Sequence, residues 1–350
     1  IAGKLEDYGL DAMLVTSESG ELYALGFHGE GLLLITKNGG HYSTDGRYIE
    51  AAEEQVKGVE LECIGGGKTH LSLAKAYIEA HKLTNVGFES SAVTVDEHRR
   101  LTQELSCILS PAQSLLDDLR AAKDEGEIEA LKKAQKITDD AFKAVLNFIR
   151  PGMTELQMVG VAQRVVYENG AEYEGLPMYV FSEASTRHAI SRSSYREFQK
   201  GDIVQLNLSA KIDGYSAAIG YPICLGKLEG QRRDIVQFCR EAHAWTEKQV
   251  KAGVWAADLA KNFYQYYVDN GYAKNFVYGP LHGTGIIEVE APWVETSFDY
   301  KLKPNMTYQV DTFISADTFG VRWEKGIAIK EGGVESYTDY LKKGIIELNF

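Results

Sequence analysis

Apolar residues follow two spacings in the first third of the chain. DAMLVT (11–16), GLLLITK (31–37) and VELECIG (59–65) are short runs rich in Val, Ile and Leu with Gly or Asn nearby, and they predict strands. Between them, RYIEAAEEQV (47–56), THLSLAKAYIEAHK (69–82) and DEHRRLTQEL (96–105) repeat apolar positions every three or four residues and carry charge at their ends. That spacing predicts helices. Strand and helix in alternation give an α/β domain with a mostly parallel sheet, ending near Pro111. The charged stretch from Asp117 to Ile149 predicts one long bridging helix whose weak point is Gly126. RPGMTELQMVGVAQRVVYENG then predicts a turn and a helix, capped by Thr154 and ended by a left-handed Gly170. Beyond Gly175 the pattern changes to strands and turns, as in GDIVQLNLSAKIDGYSAAIGYPICLG and NMTYQVDTFIS, so the second part reads as α+β. The expected division is 1–117 and 118–350.

Composition narrows the function. With 350 residues, 44% of them hydrophobic, the chain can bury two cores. Its 37 basic and 50 acidic side chains give a net charge of −13 with no basic stripe, which argues against nucleic acid as a partner. No apolar run reaches the roughly 20 residues that cross a bilayer, so no membrane partner is expected. The opening, IAGKLEDYGLDAMLV, lacks the order of a signal peptide, and Cys63, Cys107, Cys224 and Cys239 form no CxxC pair. The expected location is the cytoplasm. GGGKT (65–69) ends like a phosphate-binding loop, but Glu62 stands where its first Gly belongs.

The order of motifs resembles the creatinase, prolidase and aminopeptidase P superfamily over nearly the whole chain. GLDAMLVT, ELYALGF and DGRYIEAAEEQV resemble its first domain, LDDLRAAKDEGEIEALKKAQKITDDAF its linker helix, and RPGMTE the start of its catalytic domain. A GD strand, a GY hairpin, an HGTG turn and a GVRWE strand follow in the family's order. The resemblance implies an α/β N-terminal domain plus an α+β pita-bread catalytic domain, in which two αββ-type halves surround a curved antiparallel sheet. It also implies a homodimer.

In metal-dependent members five positions hold two ions. Here they read Asn207, Ala218, His282, Asp311 and Glu324, and the position of a further His is Val289. Asn207 offers one uncharged oxygen and Ala218 none, so a dinuclear centre is not expected. Metal-independent creatinase is similar at both changed positions, and its acid–base His matches His188 in FSEASTRHAISRSSYREF. The expectation is therefore a hydrolase without cofactor that cleaves a C–N bond in a small amine- or guanidine-bearing substrate. His188, whose imidazole exchanges protons near neutrality, acts with His282 and Glu324 as the catalytic set. Asp311, Arg322, Asn207, Tyr215 and Phe27 are the substrate-binding candidates, with Phe27 reaching a neighbouring subunit's pocket from the turn ELYALGFHGEG. Creatine itself is doubtful because Gly220 stands where creatinase has Glu. Two alternatives stay open: a metal-dependent Xaa-Pro peptidase or related lyase with one divalent ion on His282, Asp311 and Glu324, and an inactive binding protein.

Overall fold

Met13 and Val15 point into one apolar cluster and Ala12 and Leu14 into another, so their strand, β1 (Ala12–Val15), is covered on both faces. That double burial explains its uninterrupted apolar run. The computed structural model describes residues 1–350, which form two units, Ile1–Arg120 and Ala121–Phe350.

In the first unit β2 (Gly31–Thr36), β3 (Gly39–Thr44), β4 (Glu60–Cys63), β5 (Asn85–Phe88) and β6 (Ile108–Pro111) join β1 in the order β4-β3-β2-β1-β5-β6. Pairs β1/β5, β5/β6 and β3/β4 are parallel, whereas β1/β2 and β2/β3 are antiparallel. The sheet is thus more mixed than expected. Strand β3 is not among the predicted strands because GGHYST carries little aliphatic signal. Its Gly40 is held by close packing, since a Cβ there would lie 2.4 Å from the Leu34 carbonyl oxygen. Helices α1 (Glu18–Leu25), α2 (Ile49–Gln55), α3 (His70–His81), α4 (Val95–Glu104) and α5 (Gln113–Ala121) complete this part. Phe27, expected to reach outward, is instead 4% exposed and packs edge-on against Tyr42 in the unit's own core. A large apolar ring is better placed there than in water.

The single helix expected from Asp117 to Ile149 is two, α5 and α6 (Glu125–Phe148). The break comes before Gly126. Asp124 caps α6, accepting from the Glu127 amide at 2.9 Å while the Glu127 carboxylate accepts from the Asp124 amide at 2.7 Å. Helix α7 (Glu155–Glu168) starts at Thr154, paired with Gln157 in the same way, and Gly170 follows it at φ 84°. The rest of the unit comprises β7 (Tyr179–Phe181), α8 (Glu183–Thr186), β8 (Ile203–Ile212), β9 (Tyr215–Cys224), α9 (Gly230–Gln249), α10 (Ala256–Asp269), β10 (Leu281–Gly283), β11 (Glu290–Val294), β12 (Thr307–Ser315), β13 (Gly320–Lys330), β14 (Gly333–Ser336) and β15 (Ile346–Glu347).

These strands make one sheet in the order β11-β10-β12-β13-β9-β8-β7, with β14 beside β13 and β15 beside β9. Its pairs are antiparallel except β15/β9. Between β8 and β9 the turn uses Asp213 and Gly214, both at positive φ, as a two-residue hairpin requires. Leu206, Leu208, Ile219, Tyr221, Val321 and Trp323 enter a core with Phe142, Phe238 and Cys239 from α6 and α9. Alternate residues of the same strands, including Gln205, Asn207, Asp311, Arg322 and Glu324, belong to the other face and are buried too. That polar burial marks the site. No helix of the chain is long and apolar enough to cross a membrane.

Candidate functional site

Strand register assembles a polar row. Asn207 on β8 lies opposite Gly220 on β9, Gly220 opposite Glu324 on β13, and Glu324 opposite Asp311 on β12. His282 on β10 lies opposite Gln309, two residues along β12 from Asp311. Gly220 leaves space in the row: a Cβ there would stand 2.7 Å from the Glu324 Cβ and 3.0 Å from Arg322 carbons.

Arg322 is the charge centre of the row. Its Nε lies 3.2 Å from Asp311 Oδ1 and its Nη1 3.7 Å from Glu324 Oε2. Its Nη2 donates to the Tyr278 hydroxyl and to the Ala189 carbonyl at 3.4 Å. Tyr278 in turn donates to Asp311 Oδ1 at 3.2 Å. Burial raises the Asp311 carboxyl to about 6, with the nearby guanidinium opposing it. Burial would also raise Glu324, but the imidazole of His282, 3.6 Å away, and Arg322 bring it below its ordinary range.

His282 is fixed by its backbone. Its Nδ1 lies 3.0 Å from the Gly283 carbonyl oxygen, and donation there leaves Nε2 directed to Glu324. Burial opposes its charged form, yet Glu324, Glu288 and Asp311 outweigh burial and lift it to about 9. The close turn after it depends on Gly283, where a Cβ would meet the carbonyl oxygens of Glu290 and Ala291 at 2.6 Å.

Glu288 is the residue that sequence reading missed. It lies in the turn between β10 and β11, is 1% exposed, and neither carboxylate oxygen has a hydrogen-bond partner. One ligand atom each from His282, Glu288 and Glu324 lie within 4.8 Å of one another. Burial pushes Glu288 up to about 7, with His282 pulling the other way. In GIIEVE the usual sides are exchanged: Ile287 is 43% exposed while its charged neighbour is buried. A carboxylate set between Ile287 and Val289 was the available signal.

The other expected residues lie as follows. Asn207 is buried, and its Oδ1 accepts from Gln205 Nε2 at 3.0 Å. Ala218 on β9 lies opposite Ser209 on β8 and brings no donor atom. Tyr215 donates to Glu127 Oε1 at 2.8 Å at the hairpin end of β9, away from the row. His188 is exposed in a turn after α8, next to the residue whose carbonyl meets Arg322. Its imidazole is not brought into the buried group. The expected ion-holding trio of His282, Asp311 and Glu324 is interrupted, because Asp311 is bound to Arg322 and Tyr278. Judged by donor chemistry, the residues suit one divalent ion on an imidazole and two carboxylates, and do not suit two ions.

The family model described as Metallopeptidase family M24 matches residues 129–331, and that of the Creatinase/Prolidase N-terminal domain matches residues 1–122. The chain is 30% identical over 343 residues to the uncharacterized peptidase YqhT of Bacillus subtilis, covering 97% of this chain and 96% of that protein. It is 26% identical over 225 residues to an Xaa-Pro dipeptidase of Pyrococcus furiosus, covering 64% of this chain and 65% of the other. Among solved structures, an Xaa-Pro dipeptidase from Bacillus anthracis superposes with a TM-score of 0.93 at 27% identity, covering 99% of this chain and 97% of that one. These matches correct the expectation that the protein works without a cofactor, since the family that covers the catalytic unit is one of metallopeptidases. The creatinase-like changes at Asn207 and Ala218 had suggested otherwise because they alter two ligand positions without revealing the buried Glu288 nearby. With the pita-bread fold and the matched catalytic unit in agreement, the chain belongs to metallopeptidase family M24 and is a hydrolase of C–N bonds.

Proposed function

We propose that the protein is a metal-dependent peptidase that cleaves small peptides of the Xaa-Pro type, using one divalent ion in its second unit. The observation that carries this reading is the buried meeting of one imidazole and two carboxylates where the row meets the turn between β10 and β11 of an M24 sheet. Relatives named Xaa-Pro dipeptidases supply the substrate class.

His282 and Glu324 would hold the ion. When bound, it supplies Lewis-acid polarisation of the scissile carbonyl and a more acidic water. The chain's own residues fix the surroundings. Gly283 orients the His282 ring, His282 and Arg322 keep Glu324 ionised, and Arg322 holds Asp311 in place. Tyr278 ties Asp311 to the guanidinium, and the sheet wall keeps the row away from bulk water. In so dry a setting each charge acts more strongly than it would in solution.

The same reading places the protein in the cytoplasm as a homodimer. Four unpaired cysteines support a reducing compartment, and the dimer follows from the family resemblance.

The test is protein purified without chelator and assayed on Xaa-Pro dipeptides and on creatine, before and after chelation. Dipeptide hydrolysis that is lost with chelator and restored by Mn²⁺ or Co²⁺ is the expected result. Undiminished turnover by metal-free protein would overturn the reading. So would a metal-saturated protein that cleaves no dipeptide, which would favour a binding role.

A further inference from the structure

We propose that the chain holds a single divalent ion on His282, Glu288 and Glu324, with Glu288 supplying a carboxylate that the family's five ligand positions do not include. Arg322 then stands as the fixed cation of the row.

Charge and geometry lead to this arrangement. Two of the five positions, Asn207 and Ala218, bring no anion, and a third, Asp311, is already engaged. Its Oδ1 is 3.2 Å from the Arg322 guanidinium and accepts from Tyr278 at 3.2 Å. An ion on Asp311 would sit against a guanidinium that cannot lose its charge. Glu288 presents the opposite situation. Both of its oxygens are buried and lack partners, although a buried carboxylate normally has several, and its ligand atom lies within 4.8 Å of those of His282 and Glu324. One imidazole and two carboxylates suit a borderline or hard divalent cation, and three protein ligands leave positions open for water and substrate.

The turn between β10 and β11 is built to deliver that side chain. Gly283 permits its tight start, and Gly285 lies so close to the buried pair of Lys123 and Glu290 that a Cβ would stand 2.4 Å from Glu290 Oε1. Lys123 Nζ donates to Glu290 Oε1 at 2.9 Å and neutralises that carboxylate at the start of β11. Glu288 has no such cation bonded to either oxygen.

The inference rests on the peptidase reading only in expecting a metal, so its test reads binding rather than turnover. Wild type, Glu288→Gln and Asp311→Asn are stripped with chelator and titrated with Mn²⁺ and Co²⁺ by calorimetry. Ions per chain are counted by elemental analysis after desalting, and circular dichroism checks that each variant is folded. Wild type is expected to hold one ion, and Asp311→Asn also one. Glu288→Gln should lose more than the roughly 10–100-fold in affinity that removal of an outer-shell partner costs. A folded Glu288→Gln that binds as wild type does would overturn the proposal, as would two ions per wild-type chain or none. If Glu288 proves to be a ligand and no dipeptide is cleaved, the peptidase reading fails alone.

Discussion

Gly220 sets how closely the ionised row can pack. Its missing side chain gives Glu324 and Arg322 their space, and the clash at 2.7 Å involves a Cβ rather than a flexible chain end. Gly220→Ala is therefore expected to lose about 1–3 kcal/mol of stability, the usual cost of overpacking, measured by urea unfolding. Unchanged stability would mean that the row can open. A different buried carboxylate gives a pH signature. Glu21 is 1% exposed and accepts from Tyr42 at 3.0 Å and from the Gly31 amide at 2.9 Å, yet burial lifts it from 4.5 to about 7. Because its folded pKa exceeds its unfolded value, the folded state holds the proton more tightly, and this contribution is complete below about 4.5 and lost as pH rises through about 7. Denaturant melts of Glu21→Gln and wild type at about pH 5 and about pH 8 should show the difference moving in favour of Gln at the higher pH. A constant difference would exclude a raised Glu21.

At the scale of elements, the segment from α8 to β8 shows why a motif match does not place a side chain. Glu155 in α7 fastens this segment: its Oε1 accepts from the Ser182 amide at 2.8 Å and from the Ser182 and Ser185 hydroxyls at 2.7 Å each. Its Oε2 accepts from the Ser194 amide at 2.8 Å and hydroxyl at 3.0 Å. The two ends of the segment are thus pinned, while His188 between them remains exposed. His188→Ala is expected to keep both the fold and most of the metal-dependent turnover. A drop of the roughly 10²–10⁴-fold that a general acid–base group contributes would return His188 to the chemistry. The linker gives a related lesson about ends. Amphipathic spacing predicted one helix across 117–149, but Asp124 and Glu127 satisfy backbone amides that a continuous helix would use internally, so a new helix starts there.

For the whole molecule, the proposed homodimer makes a mass prediction. Sedimentation at micromolar concentration should give about twice the 38.8 kDa of one chain, and a fully active monomer would refute the dimer. Phe27, expected to reach a neighbouring subunit's pocket, is not a probe of that dimer. The ring is part of the first unit's core, so Phe27→Ala would report lost packing rather than a contact between subunits.

The sequence by itself determined what depends on local period and on motif order. Strands such as Ala12–Val15, the Thr154 cap, the order of the GD, GY, HG and GVRWE segments, and the deficit of ligands at Asn207 and Ala218 could all be read from neighbouring residues. Tertiary structure decided the partners of each polar group. Whether Asp311 meets a metal or Arg322 depends on strands β12 and β13 lying in register, and whether Glu288 faces water or His282 depends on a turn that buries it while exposing Ile287. Such contacts join residues far apart in the chain, and the free energy of a buried charge is set by whatever the fold places within a few ångströms of it.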